Sequence, residues 1–140
     1  HLYSPLETLV ALRRLLARGS RLVFSVPNLQ SYDRHLFGSL WIGWDAPRHL
    51  CLFEDSVLVR LMSRVGFEIV ERRCALGGPG AFLLSLHTWA EARWGRQTRH
   101  SRVMHLIDRL VPFLIWPYKT FSYHQLRGPV ITYVAQPLGG

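Results

Sequence analysis

The sequence has little cysteine and no apolar run long enough to cross a membrane. Cys51 and Cys74 are its two cysteines, and neither lies in a Cys-x-x-Cys pair. These observations exclude a disulfide-based fold and a membrane-spanning helix, which needs about 18 to 20 consecutive apolar residues. Because no secretory signal pattern is present either, we expect a cytoplasmic protein, with peripheral membrane attachment as the alternative.

Acidic residues are also scarce. Nine Asp and Glu stand against seventeen Lys and Arg, which gives a formal net charge of +8. Such an excess favours anionic partners, either nucleic acid or an acidic membrane surface. The basic residues are scattered, however, and form no block of five or more. We therefore expect solvated basic faces and do not expect nucleic-acid binding.

The histidines do not have the spacing of metal ligands. His100 and His105 are five residues apart, and no third partner follows at ligand spacing. No metal site is predicted.

The chain enters a helix-start pattern at once. Ser4 is predicted to cap the helix, Pro5 to take its first position and Glu7 to complete a capping box. Gly19 is the predicted stop. Because the sequence opens on His1 without an initiator methionine, we expect a longer natural chain.

The apolar pattern then predicts alternating strands and helices. The strands are predicted at Arg21–Val26, Phe67–Ala75 and Val130–Ala135, and the helices at Glu54–Val65, Ala81–Trp94 and Val103–Phe121. Pro112 and Pro117 should kink or end the last helix. Residues 29–53 are rich in aromatic residues and glycine, which is typical of a functional loop with short helical turns. The order predicts an α/β fold with a partly parallel sheet.

Four segments in order resemble one enzyme family. They are His1-Leu2-Tyr3-Ser4-Pro5, Arg18–Asn28 with its Val26-Pro27-Asn28 end, Asp45–Phe53 with Pro47-Arg48-His49-Leu50, and Arg64-Val65-Gly66-Phe67. In this order they are similar to the C-terminal half of class I S-adenosylmethionine-dependent methyltransferases, of the methyltransferase-23 or type-12-like group. The resemblance covers nearly the whole chain and is weakest over residues 81–127.

The resemblance implies a fold and a domain organisation. The fold would be the C-terminal half of a Rossmann-like α/β sheet, with three strands, the last of them antiparallel, and covering helices. Residues 1–140 would form a single partial domain, in which residues 81–127 are a helical insertion or cap.

The resemblance also implies S-adenosylmethionine as the methyl donor of the intact protein. In the family, a glycine-rich turn after the first strand and an acidic residue after the second hold the donor. Neither is recognisable here, because Gly77-Gly78-Pro79-Gly80 follows a later strand and Pro79 lacks a backbone N–H. That segment is predicted to be a loop. Methyltransferase activity is therefore expected only of the intact protein, and donor binding by this chain alone is not expected.

Three residues are candidates for catalysis or for binding a charged acceptor. The resemblance places His1 near the cleft, where a neutral imidazole serves as a base or as a wall. His49 is a candidate acid, base or hydrogen-bond donor, and Arg48 a candidate for holding a carboxylate or phosphate. Alternatively, Arg48 fixes the long loop by bonding carbonyl groups.

Four further residues are candidates for binding the acceptor. Asn28 follows a strand, at the end where ligands bind in open α/β sheets, although it is equally a turn residue. Tyr32, Trp41 and Trp44 either line the cleft or pack in the core. The acceptor is expected to be a small molecule, a sugar or a lipid-linked compound.

Two surfaces are candidates for other partners. The open edge of the strand at residues 22–26 would pair with a second copy. Residues 103–118 would lie on a membrane or cover a lipid-like acceptor, unless they form a cap on the sheet. The competing hypothesis for the whole chain is a non-catalytic degenerate domain that binds a protein partner or an acidic membrane.

Overall fold

The computed structural model describes residues 2–74 and 78–138. The helices are α1 (Pro5–Leu15), α2 (Tyr32–Phe37), α3 (Asp55–Val65), α4 (Gly78–Trp94), α5 (Arg102–Leu114) and α6 (Trp116–His124). The strands are β1 (Leu22–Pro27), β2 (Phe67–Arg73) and β3 (Val130–Pro137). Short 3-10 turns cover Gly38–Leu40, Ile42–Trp44 and Arg96–His100. The predicted base His1 lies outside the described residues.

The first helix begins where the sequence predicts, but its cap differs. Pro5 occupies the first turn, while the Ser4 side chain makes no capping hydrogen bond. The predicted capping box is therefore wrong. Instead, the Thr8 hydroxyl donates to the Ser4 carbonyl at 3.0 Å. This bond and the fixed φ of proline define the start of α1.

The three strands form one sheet in the order β1-β3-β2, and both pairings are antiparallel. Val26 lies opposite Ile131 in one ladder, and Ile69 lies opposite Ala135 in the other. The prediction of an antiparallel last strand is confirmed. The prediction of a partly parallel sheet is wrong, because both pairings are antiparallel. Strand β3 lies between β1 and β2, which run in the same direction without pairing with each other.

The core lies on the sheet face that α3 covers. The alternation along β3 buries Ile131, Tyr133 and Ala135, which pack with Met62 and Phe67. Helix α1 packs against α3. This continuous apolar cluster fixes the direction of β1 and of the chain that leaves it.

The helical region formed by α4, α5 and α6 packs beyond the carboxyl end of β1. Helix α4 contacts α2 and the 3-10 turns at residues 38–44. The loop predicted through Gly80 is wrong, because α4 begins at Gly78 and residues 75–77 are not described. The long helix predicted at Val103–Phe121 is divided at Ile115. Pro112 lies inside α5, whereas Pro117 lies in the first turn of α6, where a missing N–H costs little.

Strand β1 forms one edge of the sheet. The polar backbone groups along such an edge are a template for pairing with another chain. Pairing of two copies through residues 22–26 stays a prediction, which light scattering of the purified chain tests. In the described part of the chain, no helix is long and apolar enough to span a membrane.

Candidate functional site

A large cavity, with a volume of about 470 Å³, lies beside β1. Its walls come from α1, β1, α3 and the segment 49–53. Most lining residues are apolar, among them Leu9, Leu12, Phe24, Phe53, Leu61 and Met62. Thr8, Ser25, His49 and Cys51 are polar exceptions. An apolar cavity with a few polar groups is the usual form of a small-molecule site.

His49 is held in place by the turn at residues 45–49. Asp45 has a left-handed backbone with φ of 36°, which short polar side chains tolerate. Its carbonyl accepts the backbone N–H groups of Arg48 at 2.8 Å and of His49 at 3.2 Å. The imidazole Nδ1 of His49 lies 2.9 Å from the Gly43 carbonyl. Since a carbonyl only accepts, Nδ1 carries the proton, and Nε2 is the basic nitrogen of the neutral ring.

Gly43 supplies that carbonyl because no larger residue fits its position. A Cβ on Gly43 would overlap the indole ring of Trp41. Trp41 is 2% exposed and packs edge-on against Trp44, with ring centroids 5.6 Å apart. The indole N–H of Trp44 donates to the Gly38 carbonyl at 2.8 Å. The two predicted cleft aromatics thus support the His49 loop from behind.

Arg48 lies next to His49 in sequence but points to solvent. Its side chain is 70% exposed and contacts the Asp45 carboxylate through Nη2 at 2.7 Å and Nε at 3.1 Å. Arg48 does not line the large cavity. The guanidinium therefore bonds a carboxylate of its own loop, and not the backbone carbonyls that the alternative hypothesis expected.

The Asn28 side chain joins the end of β1 to the segment before β3. Its buried amide donates to the carbonyls of Leu126 and Gly128, both at 2.9 Å. Its oxygen accepts the Gln30 N–H at 3.0 Å. Both amide protons are therefore used within the protein, which favours the structural interpretation of Asn28 over ligand binding.

Tyr32 and Asp33 join α2 to α6. The Tyr32 ring stacks on Phe121 at 6.2 Å, and the Tyr118 hydroxyl donates to the Asp33 carboxylate at 2.5 Å. Burial raises the pKa of Asp33, although the Tyr118 hydrogen bond and the Lys119 charge act in the opposite direction. Burial also raises the pKa of Tyr118 and lowers that of Lys119. This cluster holds the helical region onto the sheet.

Of the described candidates, His49 lines the large cavity, whereas Asn28, Tyr32, Trp41, Trp44 and Arg48 do not. The sequence reasoning missed Cys51 and Phe53, which stand two and four residues after His49. The alternation His49, Cys51, Phe53 was the available signal, because in an extended segment such residues face the same side. A second, polar cavity of about 210 Å³ contains Arg34, Glu54 and Arg127.

The residues around the large cavity do not fit a methyl donor. S-adenosylmethionine has a carboxylate, an ammonium, a sulfonium and ribose hydroxyls, which require charged and polar partners. Among the described residues that line the cavity there is no carboxylate, and the polar side chains are those of Thr8, Ser25, His49 and Cys51. Within residues 2–74 and 78–138, no group of three His, Cys, Asp or Glu side chains could hold a metal ion.

The β1-β3-β2 sheet with helices on its core face is a mixed α/β arrangement that is compatible with a methyltransferase-like fold. The family model described as a methyltransferase domain matches residues 1–72, just over half of the 140-residue chain. The chain belongs to this methyltransferase-domain family. No curated protein and no solved structure matches it.

Proposed function

We propose that the chain provides the acceptor side of an S-adenosylmethionine-dependent methyltransferase site and that it is inactive alone. The observation that carries this proposal is the apolar cavity with His49 in its wall. Membership of the methyltransferase-domain family supports the reaction class. The donor-binding groups then come from residues other than those that line this cavity.

His49 acts as the general base in this proposal. The Gly43 carbonyl holds Nδ1, so the lone pair of the neutral ring lies on Nε2. The imidazole takes the proton from an acceptor O–H or N–H, which makes the acceptor oxygen or nitrogen the stronger nucleophile. The apolar walls exclude water and hold the acceptor in one orientation.

The cavity favours an acceptor with an apolar body. Its lining is mainly leucine, phenylalanine, valine and methionine, which gain from burying hydrocarbon and cannot satisfy many hydroxyl groups. Among the acceptor classes expected from the sequence, a lipid-linked compound or an apolar small molecule therefore fits better than a free sugar.

Cys51 provides a direct test of acceptor binding. It is exposed and lines the cavity, whereas Cys74 is buried and burial raises its thiol pKa. Iodoacetamide should therefore modify Cys51 first. We expect n-octyl glucoside, below its micelle concentration, to slow this modification, and glucose to leave the rate unchanged. Equal rates with and without octyl glucoside would contradict the acceptor site.

Calorimetry with S-adenosylhomocysteine tests the division between donor and acceptor sides. We expect no measurable binding to the 140-residue chain, because no described residue in the cavity wall offers a carboxylate to the ribose hydroxyls. Micromolar binding to this chain would show that it contains a donor site of its own and would overturn the proposal.

A further inference from the structure

Helix α5 exposes a stripe of large apolar side chains to solvent. The apolar stripe consists of Val103, Leu106, Leu110, Phe113 and Leu114, all of which are exposed. With about 100° between successive helical residues, these five positions fall within an arc about 100° wide. Apolar surface gathered in this way marks an interaction site, whereas single exposed apolar residues are ordinary.

The opposite face of α5 fixes the direction of the stripe. Met104 is buried, and the Asp108 carboxylate lies 2.6 Å from Nε2 of His87 in α4. The Ser101 hydroxyl caps the helix by accepting the Met104 N–H at 3.2 Å. These contacts hold one face of α5 against α4, so the stripe faces away from the rest of the protein.

Two basic residues lie along one margin of the stripe. Arg102 and Arg109 lie on the same margin of α5, roughly 20° to 40° from Phe113 on the helical wheel. Both are exposed, and within the described part of the chain neither makes an ion pair or a side-chain hydrogen bond. Across residues 78–124, six Arg and Lys stand against Glu91 and Asp108. A partner that fits this face of α5 therefore has an apolar interior and an anionic outer layer.

We infer that α5 docks on an anionic lipid bilayer, with the apolar stripe below the headgroups and the arginines among the phosphates. Trp94, at the end of α4, and Trp116, at the start of α6, flank α5 in the sequence, and both are exposed. Tryptophan at the level of the headgroups is typical of interfacial attachment. The inference does not depend on the proposed methyl transfer, because membrane binding requires neither donor nor acceptor.

Sedimentation with vesicles tests the inference on the 140-residue chain. We expect binding to vesicles of about 70% phosphatidylcholine and 30% phosphatidylglycerol, and much weaker binding to phosphatidylcholine alone. Raising sodium chloride from about 0.05 M to about 0.5 M should weaken binding to the anionic vesicles. Absence of binding at low salt would overturn the inference.

Two pairs of variants distinguish binding through the stripe from nonspecific apolar adsorption and from an effect of the net charge. Phe113→Ser should lower the partition coefficient by at least about tenfold, because burial of a phenylalanine side chain is lost. Leu15→Ser is the matched control, since Leu15 is 81% exposed on α1 and Phe113 is 80% exposed. Arg102→Gln with Arg109→Gln should weaken anionic binding more than Arg14→Gln with Arg18→Gln, although both pairs change the net charge equally.

Light scattering identifies the competing occupant, a second copy of the chain. A dimer that Phe113→Ser converts to a monomer, together with no vesicle binding, would overturn the bilayer inference. Circular dichroism of each variant checks folding, and because the replaced side chains are exposed we expect unchanged spectra. Equal vesicle binding by Phe113→Ser and Leu15→Ser would also contradict the inference.

Discussion

The sheet region and the helical region differ in how far their apolar side chains are buried. In the sheet region, residues 2–74 with β3, the buried side chains of the strands and of α3 form one core, which includes Met62, Phe67 and Tyr133. In the helical region of α4 to α6, Met104 and Ala90 are buried while the five residues of the apolar stripe are exposed. The difference indicates that the sheet region serves as the scaffold of the cavity, whereas the helical region serves as a surface for a partner.

The two regions meet through specific polar and aromatic contacts. These are the Asn28 bonds to residues 126 and 128, the Asp33–Tyr118 hydrogen bond, the Tyr32–Phe121 stack and the Ile42 N–H bond to Ser85. A hydrogen-bonded junction fixes orientation more strictly than an apolar one, because misplaced partners remain unsatisfied. Five predictions test how far the scaffold and the helical region differ.

Two buried methionines compare the regions most directly. Met62 is 0% exposed in the sheet core, and Met104 is 2% exposed under α5. Met62→Ala should cost about 3 to 5 kcal/mol, and Met104→Ala about 2 kcal/mol, because α5 can close over the lost volume more easily than the sheet. Urea unfolding followed by circular dichroism measures both. A larger cost at Met104 would reverse the comparison.

Substitution of Asn28 should have the next largest effect on the free energy of unfolding. Asn28→Ala removes two buried donors from the Leu126 and Gly128 carbonyls and should cost about 2 to 3 kcal/mol. Ser25→Ala is the control, because the Ser25–Thr132 hydroxyl bond is exposed and its loss should cost little. If the two variants are equally stable in urea, the Asn28 amide does not join the regions.

Asp33 should make the stability of the protein depend on pH. Its pKa is raised in the folded protein, so the folded state binds the proton more tightly than the unfolded state. The stability from this group is present at acidic pH and is lost as pH rises through the folded pKa. We therefore expect Asp33→Asn to be more stable than the original chain at pH 7, with the advantage shrinking as pH falls toward 4. An advantage that grows on acidification would contradict the raised pKa.

Tyr118→Phe is the companion to that measurement. It removes the hydroxyl that donates to the Asp33 carboxylate and should cost about 1.5 to 3 kcal/mol at pH 7. In the Asp33→Asn background the same change should cost less, because no buried charge is left without its partner. Equal costs in both backgrounds would show that the two side chains are not coupled.

Arg48 should have the smallest effect. Its ion pair with Asp45 is exposed, and such pairs contribute less than about 1 kcal/mol. Arg48→Ala should therefore leave thermal unfolding and the protection of Cys51 by octyl glucoside nearly unchanged. Loss of that protection would show that Arg48 holds the acceptor, as the sequence first suggested.

The sequence predicted the elements better than the contacts between them. Proline and glycine signals and apolar periodicity located α1, β1, α3, β2 and β3, because these signals act over a few residues. They could not locate the partners of Asn28, which are about 100 residues away in the chain. The Arg48–Asp45 pair was also not predicted, although its two residues lie only three positions apart within one turn.

The candidate site was predicted in part for the same reason. His49 was chosen from its motif, and its place in a cavity wall depends on α1, β1 and α3 coming together. The buried state of Trp41 and the outward direction of Arg48 depend on Gly43 and on the backbone of Asp45, which carry no apolar period. Packing between distant elements decided which motif residues face the cavity.

The central position of β3 has a consequence for biosynthesis. The ribosome makes β1 and β2 well before β3, at about 5 to 20 residues per second. Leu22 pairs with Ala135, so the first ladder joins residues more than a hundred positions apart. Until β3 emerges, β1 and β2 lack the neighbour that they share, and the edges that will face β3 remain unpaired. Both ladders among these three strands can therefore form only after β3 has been made, because β3 pairs with β1 and with β2.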